Sequence, residues 1–221
     1  MIRVAVVISG CGALDGAEIF ETVFTLLELD KNNVDTKIFA PDQKQHSVIN
    51  HLTKEEIAEE RNVLVESARI ARGKIEALNK LQVQDFDALI LPGGFGAATN
   101  LSDLAFKNEN ATVIEDLKKI IIEFHRSSKP IGGICIAPTI LAAVLKNQAK
   151  IRITLGDKNE LITKLDAIEE ICLAEDIVID KENKLVTTPA FMLNASLTQI
   201  HRGISKLVNK ILKMHNNTIV E

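Results

Sequence analysis

Apolar positions follow two rhythms along this chain. Ile2 to Ile8 is a nearly unbroken β-branched run closed by Ser9-Gly10-Cys11-Gly12, the pattern of a strand buried on both faces. A helix is predicted next, with Ile19, Phe20, Val23, Phe24 and Leu27 on one apolar face. Thr36 to Ala40 predicts a second strand, stopped by Pro41-Asp42, and Ala88 to Leu91 a third, stopped by Pro92-Gly93-Gly94-Phe95-Gly96. Val113, Ile114, Leu117, Ile120, Ile121 and Phe124 recur at helical spacing. Pro130 to Ile134 then predicts a strand that ends at Cys135.

The alternation continues. Thr139 to Leu145 predicts a helix and Ile151 to Leu155 a strand. Ile177 to Asp180 and Leu185 to Thr188 flank Lys181-Glu182-Asn183-Lys184 as a hairpin. A last long helix carries Leu197, Ile200, Ile204, Leu207, Val208, Ile211 and Leu212. Strands alternating with helices imply an α/β fold, a mostly parallel sheet covered on both faces. Sites in such sheets lie beyond the carboxyl ends of the strands, where the three glycine-marked turns fall.

His46 to Gly73 breaks the rhythm. It is polar and charged, with a helix predicted from Lys54 onward and Leu64, Ala68 and Ala71 on one face. It reads as a helical insertion between the second and third strands of a single domain spanning 1–221. Such a segment could form a lid or an oligomer contact, and a homodimer is the expected assembly.

Composition narrows the function classes. The 221 residues are 46% hydrophobic, enough for a buried core, and the net charge is -4. An acidic chain without Trp or Tyr lacks the basic surface and most of the stacking platforms of a nucleic-acid binder. Neither a signal peptide nor an apolar run near the roughly 18 residues of a membrane span is evident. Three cysteines, Cys11, Cys135 and Cys172, are an odd number without framework spacing, which points to a reducing compartment. The cytoplasm is the expected location.

Gly132-Gly133-Ile134-Cys135-Ile136-Ala137-Pro138 places Cys135 between a strand and a helix, the context of a nucleophile elbow. A helix N-terminus lowers a thiol pKa from about 8.5 towards about 3.5–7.5 in favourable cases. The Ile136 N–H would face an oxyanion formed on an attacked carbonyl. The alternative is a buried structural cysteine. Cys11 shares the sheet edge, although its glycines serve the turn, and Cys172 lies in an apolar context that suits the core.

Glu18 falls in the first turn of the first helix. It would orient the thiol or act as general base, or Asp15 and Glu18 would form a capping box. The Gly93-Gly94 turn either donates N–H groups to an oxyanion or is a plain turn. Gly10-Cys11-Gly12 followed by Asp15 is no dinucleotide loop, since the acid would repel pyrophosphate. His46, His51, His125, His201 and His215 show no metal-ligand spacing, and His125 and His201 read as surface or packing residues in helices.

At these residues the chain resembles a known family. Ser9-Gly10-Cys11-Gly12, Asp15-Gly16-Ala17-Glu18, Pro92-Gly93-Gly94-Phe95-Gly96-Ala97-Ala98 and Cys135-Ile136-Ala137-Pro138 look like the ElbB-type glyoxalases. These are isoprenoid or lycopene-enhancing proteins of the PfpI-type, class I glutamine-amidotransferase-like superfamily. The likeness runs nearly end to end, through Val48-Ile49-Asn50-His51-Leu52-Thr53, Arg61-Asn62-Val63-Leu64 and Thr187-Thr188-Pro189-Ala190. It implies a flavodoxin-like three-layer α/β/α sandwich, with Cys135 as nucleophile and Glu18 as its acidic neighbour. The implied activity converts a small reactive dicarbonyl, glyoxal or methylglyoxal, to the 2-hydroxy acid without cofactor, metal or glutathione. Gly93, Gly94 and Ile136 would supply the oxyanion contacts. Many superfamily members place a histidine beside the nucleophile; here the neighbour is Ile136. Amidotransferase and protease chemistry are disfavoured, and a slow glyoxalase is expected. The alternative function is a non-catalytic redox sensor using the same cysteine.

Overall fold

Seven strands form the main sheet of the computed structural model, which describes residues 1–218. In chain order they are β1 (Arg3–Val7), β2 (Asp35–Ala40), β3 (Glu76–Ala77), β4 (Ala88–Leu91), β5 (Ile131–Ile134), β8 (Val178–Asp180) and β9 (Leu185–Thr188). Their spatial order is β3-β2-β1-β4-β5-β9-β8. All neighbours pair in parallel except β8, which runs antiparallel to β9 across the expected hairpin. In register, Val4 pairs with Thr36 on one side and Ala88 on the other, and Ile131 pairs with Leu89 and Leu185.

Alternation along each strand sends side chains into two cores. Ala5, Val7, Leu89, Leu91 and Ile131 face one layer, packed by α5 (Glu115–Arg126) through Leu117, Ile121 and Phe124, and by α6 (Ala137–Leu145) through Leu141. Val4, Val6, Ala88, Ile90 and Val186 face the other, packed by α8 (Leu197–Thr218) through Ile200, Ile204, Leu207 and Ile211, and by Leu29 of α1 (Ile19–Lys31). The result is the expected flavodoxin-like three-layer α/β/α sandwich, with a mostly parallel sheet between two helical layers.

The predicted face of α1 is inverted except at Phe24, which packs half-buried against the core. Ile19, Phe20, Val23 and Leu27 are exposed, Phe20 to 46%, whereas Glu21, Thr22, Thr25 and Glu28 point inward. The inversion is tolerated because the buried polar groups have partners. The Thr22 and Thr25 hydroxyls donate to the Glu18 and Glu21 carbonyls at 2.8 Å. The Glu28 carboxylate accepts from Lys31 at 2.7 Å and Ser205 at 2.8 Å, and lies 2.8 Å from His201 Nε2.

Two other expectations change. The helix predicted from Lys54 onward is only α2 (Val63–Ile70), capped by the Asn62 side chain. Ahead of it lie irregular backbone and isolated bridges, including Ile49 to Glu56. The Ile151–Leu155 strand is β6 (Arg152–Gly156), and it leaves the main sheet to pair in parallel with β7 (Ile168–Ile171), a strand the apolar pattern did not predict. Short helices α3 (Phe95–Thr99), α4 (Leu104–Lys107) and α7 (Glu160–Lys164) complete the fold. Among the described residues, no helix is long and apolar enough to cross a membrane.

Candidate active site

Three turns at the carboxyl edge of the sheet interlock around one sulfur. β5 ends at Ile134, and Cys135 turns the chain with a left-handed φ of 61°, a strained conformation for a residue with a Cβ. Its N–H donates to the Thr188 carbonyl at 3.0 Å, tying the turn to the end of β9. Ile136 caps α6, with Pro138 in the first helical turn. The Cys135 residue is only 8% exposed, and its thiol is free.

The turn after β4 supplies the opposite wall. Gly93 has no room for a side chain: a Cβ there would stand 2.5 Å from the Cys135 Cβ and 2.8 Å from Glu21 Oε2. Gly94 adopts a φ of 97°, and a Cβ on it would lie 2.3 Å from the Glu18 nitrogen. The Glu18 N–H donates to the Gly93 carbonyl at 3.0 Å, which locks the start of α1 against this turn.

Glu18 lies outside the helical turn, as its N-cap: Oε2 accepts from the Glu21 N–H at 2.7 Å. The capping box with Asp15 does not form, because Asp15 Oδ2 instead accepts from the Ile49 N–H at 2.8 Å. The carboxyl that hydrogen-bonds the Cys135 thiol is that of Glu21, not Glu18. Glu21 is fully buried, and its Oε2 and Oε1 accept from the N–H groups of Gly93 at 3.0 Å and Phe191 at 3.3 Å. The Gly93 N–H is therefore committed to Glu21, while the Gly94 and Ile136 N–H groups point at the sulfur.

Burial governs the protonation states. It pushes Glu21 up to about 8, with further help from the neighbouring Glu18 carboxylate. Cys135 is raised well above the usual thiol range by burial and by Glu21; the Gly94 and Ile136 N–H groups pull the other way with less effect. The thiol lowered by its helix N-terminus is thus not realised, since desolvation outweighs the N–H groups. Glu18 is raised too, by burial.

A cavity of about 440 Å³ opens over the thiol. Cys135, Glu18, Gly94 and Ile136 line it, with Leu14, Phe95, Leu104, Leu161, Phe191 and Met192 as apolar walls. None of the five histidines lines it. His51 comes nearest to the wall in the bonding pattern, its Nε2 accepting from the Leu14 N–H at 3.2 Å. His125 meets Asn183, His201 meets Glu28, and His46 stacks on Phe106. Cys11 lies among Glu66, Asp15, Arg61 and Arg69 and does not line the cavity. Cys172 is half-exposed rather than core, donating to Thr154 Oγ1 at 3.6 Å. Among the described residues, no cluster of three or more His, Cys, Asp or Glu side chains is placed to hold a metal.

A buried cysteine on a left-handed elbow, with two backbone donors and a protonatable acid around its sulfur, can add to a carbonyl or hold an oxidised sulfur. The chain belongs to the DJ-1/PfpI family, whose sequence profile matches residues 5–192. It is 43% identical over 96% of its length to the human glutamine amidotransferase-like class 1 domain-containing protein 3, mitochondrial, and spans 83% of that protein. It is 30% identical over 96% of its length to the zebrafish ES1 protein, mitochondrial, spanning 86% of that protein. Among solved structures it matches an isoprenoid biosynthesis protein with amidotransferase-like domain from Ehrlichia chaffeensis. That match has a TM-score of 0.93 at 39% identity, covering 97% of this chain and 99% of that one.

These relatives correct one expectation. The human, rat and zebrafish proteins are mitochondrial by name, which overturns the cytoplasmic reading. Its physical basis was too weak to choose: free thiols without framework spacing indicate a reducing environment, not a particular compartment.

Proposed function

We propose that the chain is a cysteine-dependent glyoxalase, as its likeness to the ElbB-type glyoxalases implies. The observation that carries this reading is the Cys135 sulfur at the floor of the cavity, between the Gly94 and Ile136 N–H groups and the Glu21 carboxyl.

The chemistry follows from those positions. Sulfur bonds to one aldehyde carbon of glyoxal while the C=O π pair moves to oxygen. The thiol proton passes to ionised Glu21 and then to that oxygen, giving a hemithioacetal held by the Gly94 and Ile136 N–H groups. Glu18, on the cavity wall, takes the proton from the carbon bearing sulfur and returns it to the adjacent carbon by way of an enediol. The hydroxyl on the first carbon passes its proton to the oxygen on the adjacent carbon, so that the first becomes the thioester carbonyl and the second the hydroxyl of the product. Water cleaves the C–S bond, releasing the 2-hydroxy acid and restoring the thiol. Purified protein should turn over glyoxal, and Cys135→Ser should abolish turnover; an active Cys135→Ser protein would overturn the reading.

One observation favours a second reading. With Glu21 at about 8, most molecules keep its proton at neutral pH, so it can donate to an oxygen on oxidised Cys135. A redox sensor would show no turnover and selective peroxide oxidation of Cys135.

A further inference from the structure

Glyoxal is a poor match for the space above Cys135. Its four heavy atoms occupy about the volume of two or three water molecules, at about 30 Å³ each. The cavity is about 440 Å³, within the range that encloses much larger ligands. Its broad walls are the side chains of Leu14, Phe95, Leu104, Leu161, Phe191 and Met192. Among the described residues, Asn108 and Glu18 are the polar side chains on it besides the thiol, and no Lys, Arg or His lines it. A carboxylate or phosphate on the ligand would meet no countercharge and would face Glu18. Burying such a group unpaired is strongly unfavourable.

We propose that the ligand class of this cavity is an uncharged 2-oxoaldehyde with an apolar substituent of roughly six to eight carbons, a size drawn from the range of pocket volumes that enclose such ligands. The proposal rests on the cysteine chemistry above and adds to it the part of the substrate that does not react. The dicarbonyl head lies at Cys135, where Gly94 and Ile136 donate, and the tail lies against Leu104, Leu161 and Met192. Binding energy from the tail positions the head, so truncated substrates are slow because they leave the walls wet. Water in an apolar cavity is readily displaced by hydrocarbon, which makes each added methylene favourable.

Two measurements on the full chain test this separately from the glyoxalase reading. The first is kcat/KM along glyoxal, methylglyoxal, butylglyoxal, hexylglyoxal and phenylglyoxal, with 4-carboxyphenylglyoxal as the charged counterpart. Each methylene should raise kcat/KM about fourfold until the walls are covered, the ratio expected from burying one CH₂. The carboxylated compound should fall at least tenfold below phenylglyoxal. The second is the rate of Cys135 alkylation by N-methyl-, N-butyl- and N-hexylmaleimide, read by mass spectrometry and normalised to a free thiol. It should climb with chain length whether or not the protein turns anything over.

Turnover that is flat or falls from glyoxal upward overturns the ligand class and leaves the cysteine mechanism in place. Alkylation that climbs without any dicarbonyl turnover supports the apolar tail site and sinks the glyoxalase reading together with the dicarbonyl head. Flat alkylation with no turnover overturns both.

Discussion

The Glu21 carboxyl hydrogen-bonds the Cys135 thiol between the first turn of α1 and the end of β5, and both groups are almost wholly withdrawn from water. Glu21 disfavours ionisation of Cys135, whereas the protonated thiol, as a donor, eases ionisation of Glu21 against the larger effect of burial. A charge on Glu21 repels a thiolate, and a carboxylate accepting from the thiol stabilises its protonated form. Burial keeps the resting pair neutral near pH 7, and the reactivity of Cys135 is set by an acid that the apolar pattern of α1 did not single out.

Glu21→Gln removes the charge and the strongest acceptor facing the thiol. The thiol pKa should fall, so iodoacetamide labelling of Cys135 at pH 8 should accelerate several-fold. Slower labelling would mean that Glu21 donates to the thiolate rather than restraining it.

Stability should carry the same signature. The folded pKa of Glu21, about 8, lies above the usual carboxyl value of 4.5 that holds when the chain unfolds. For a raised pKa, the stabilising contribution is complete below the unfolded value and is lost as pH rises through the folded one. Between pH 6 and 9 the parent should lose about 2–3 kcal/mol from this group, because a tenfold change in proton affinity is worth about 1.4 kcal/mol. Urea melts across that window should show the slope in the parent and a much flatter line in Glu21→Gln.

Gly93→Ala tests how tightly the turns interlock. A methyl there would stand 2.5 Å from the Cys135 Cβ and 2.8 Å from Glu21 Oε2, so the β4 turn and the elbow must separate. A loss of about 1–3 kcal/mol is expected from overpacking, together with a change in Cys135 labelling. Circular dichroism melts and mass spectrometry read the two effects; a neutral variant would show that the turns yield freely.

Much of this architecture was legible because apolar runs ended in proline or glycine. Ala88–Leu91 and Leu185–Thr188 agree with the observed strands, and the elbow was marked by Gly132-Gly133 ahead of Cys135. α1 was misread because its apolar stripe faces outward. The buried stripe is polar, and only tertiary partners such as Gly93, Phe191, Ser205 and His201 make it burial-competent. Glu21 was lost with that stripe. Its signal was present in Glu18 and Glu21, three residues apart at a helix start, where the first caps and the second points in. β7 was hidden because Ile168-Glu169-Glu170-Ile171 is half-covered and carries no apolar alternation.

The exposed stripe of α1 bears on the expected homodimer. Ile19, Phe20, Val23 and Leu27 form an uncharged apolar face beside the exposed Phe191, and a second copy offers the same face in return. Sedimentation equilibrium should find a dimer. Val23→Glu, on the exposed side, should shift it towards monomer while lowering stability by less than about 0.5 kcal/mol in the isolated chain. A monomeric parent, or a dimer indifferent to Val23→Glu, would exclude this face.

The last prediction separates the two acids from any histidine. In the proposed chemistry Glu21 must be ionised to accept the thiol proton, and at pH 7 only about one molecule in ten meets that condition for a group titrating at about 8. Turnover of methylglyoxal should therefore rise about fivefold between pH 7 and 8, then level off towards pH 9. Glu18, raised above its ordinary range by burial, governs a separate acid limb. Glu21→Gln should remove the rise near pH 8 and slow turnover even as it speeds labelling of Cys135. A purely structural role would not move these two readouts in opposite directions. Glu18→Gln should remove the acid limb while preserving the fold, since the amide oxygen can still accept from the Glu21 N–H. His51, His125 and His201 are engaged with Leu14, Asn183 and Glu28, and none lines the cavity, so their alanine variants should keep both limbs. If His51→Ala erased either limb, a histidine at the Leu14 wall would be moving the proton. The division of labour between Glu18 and Glu21 would then have to be abandoned.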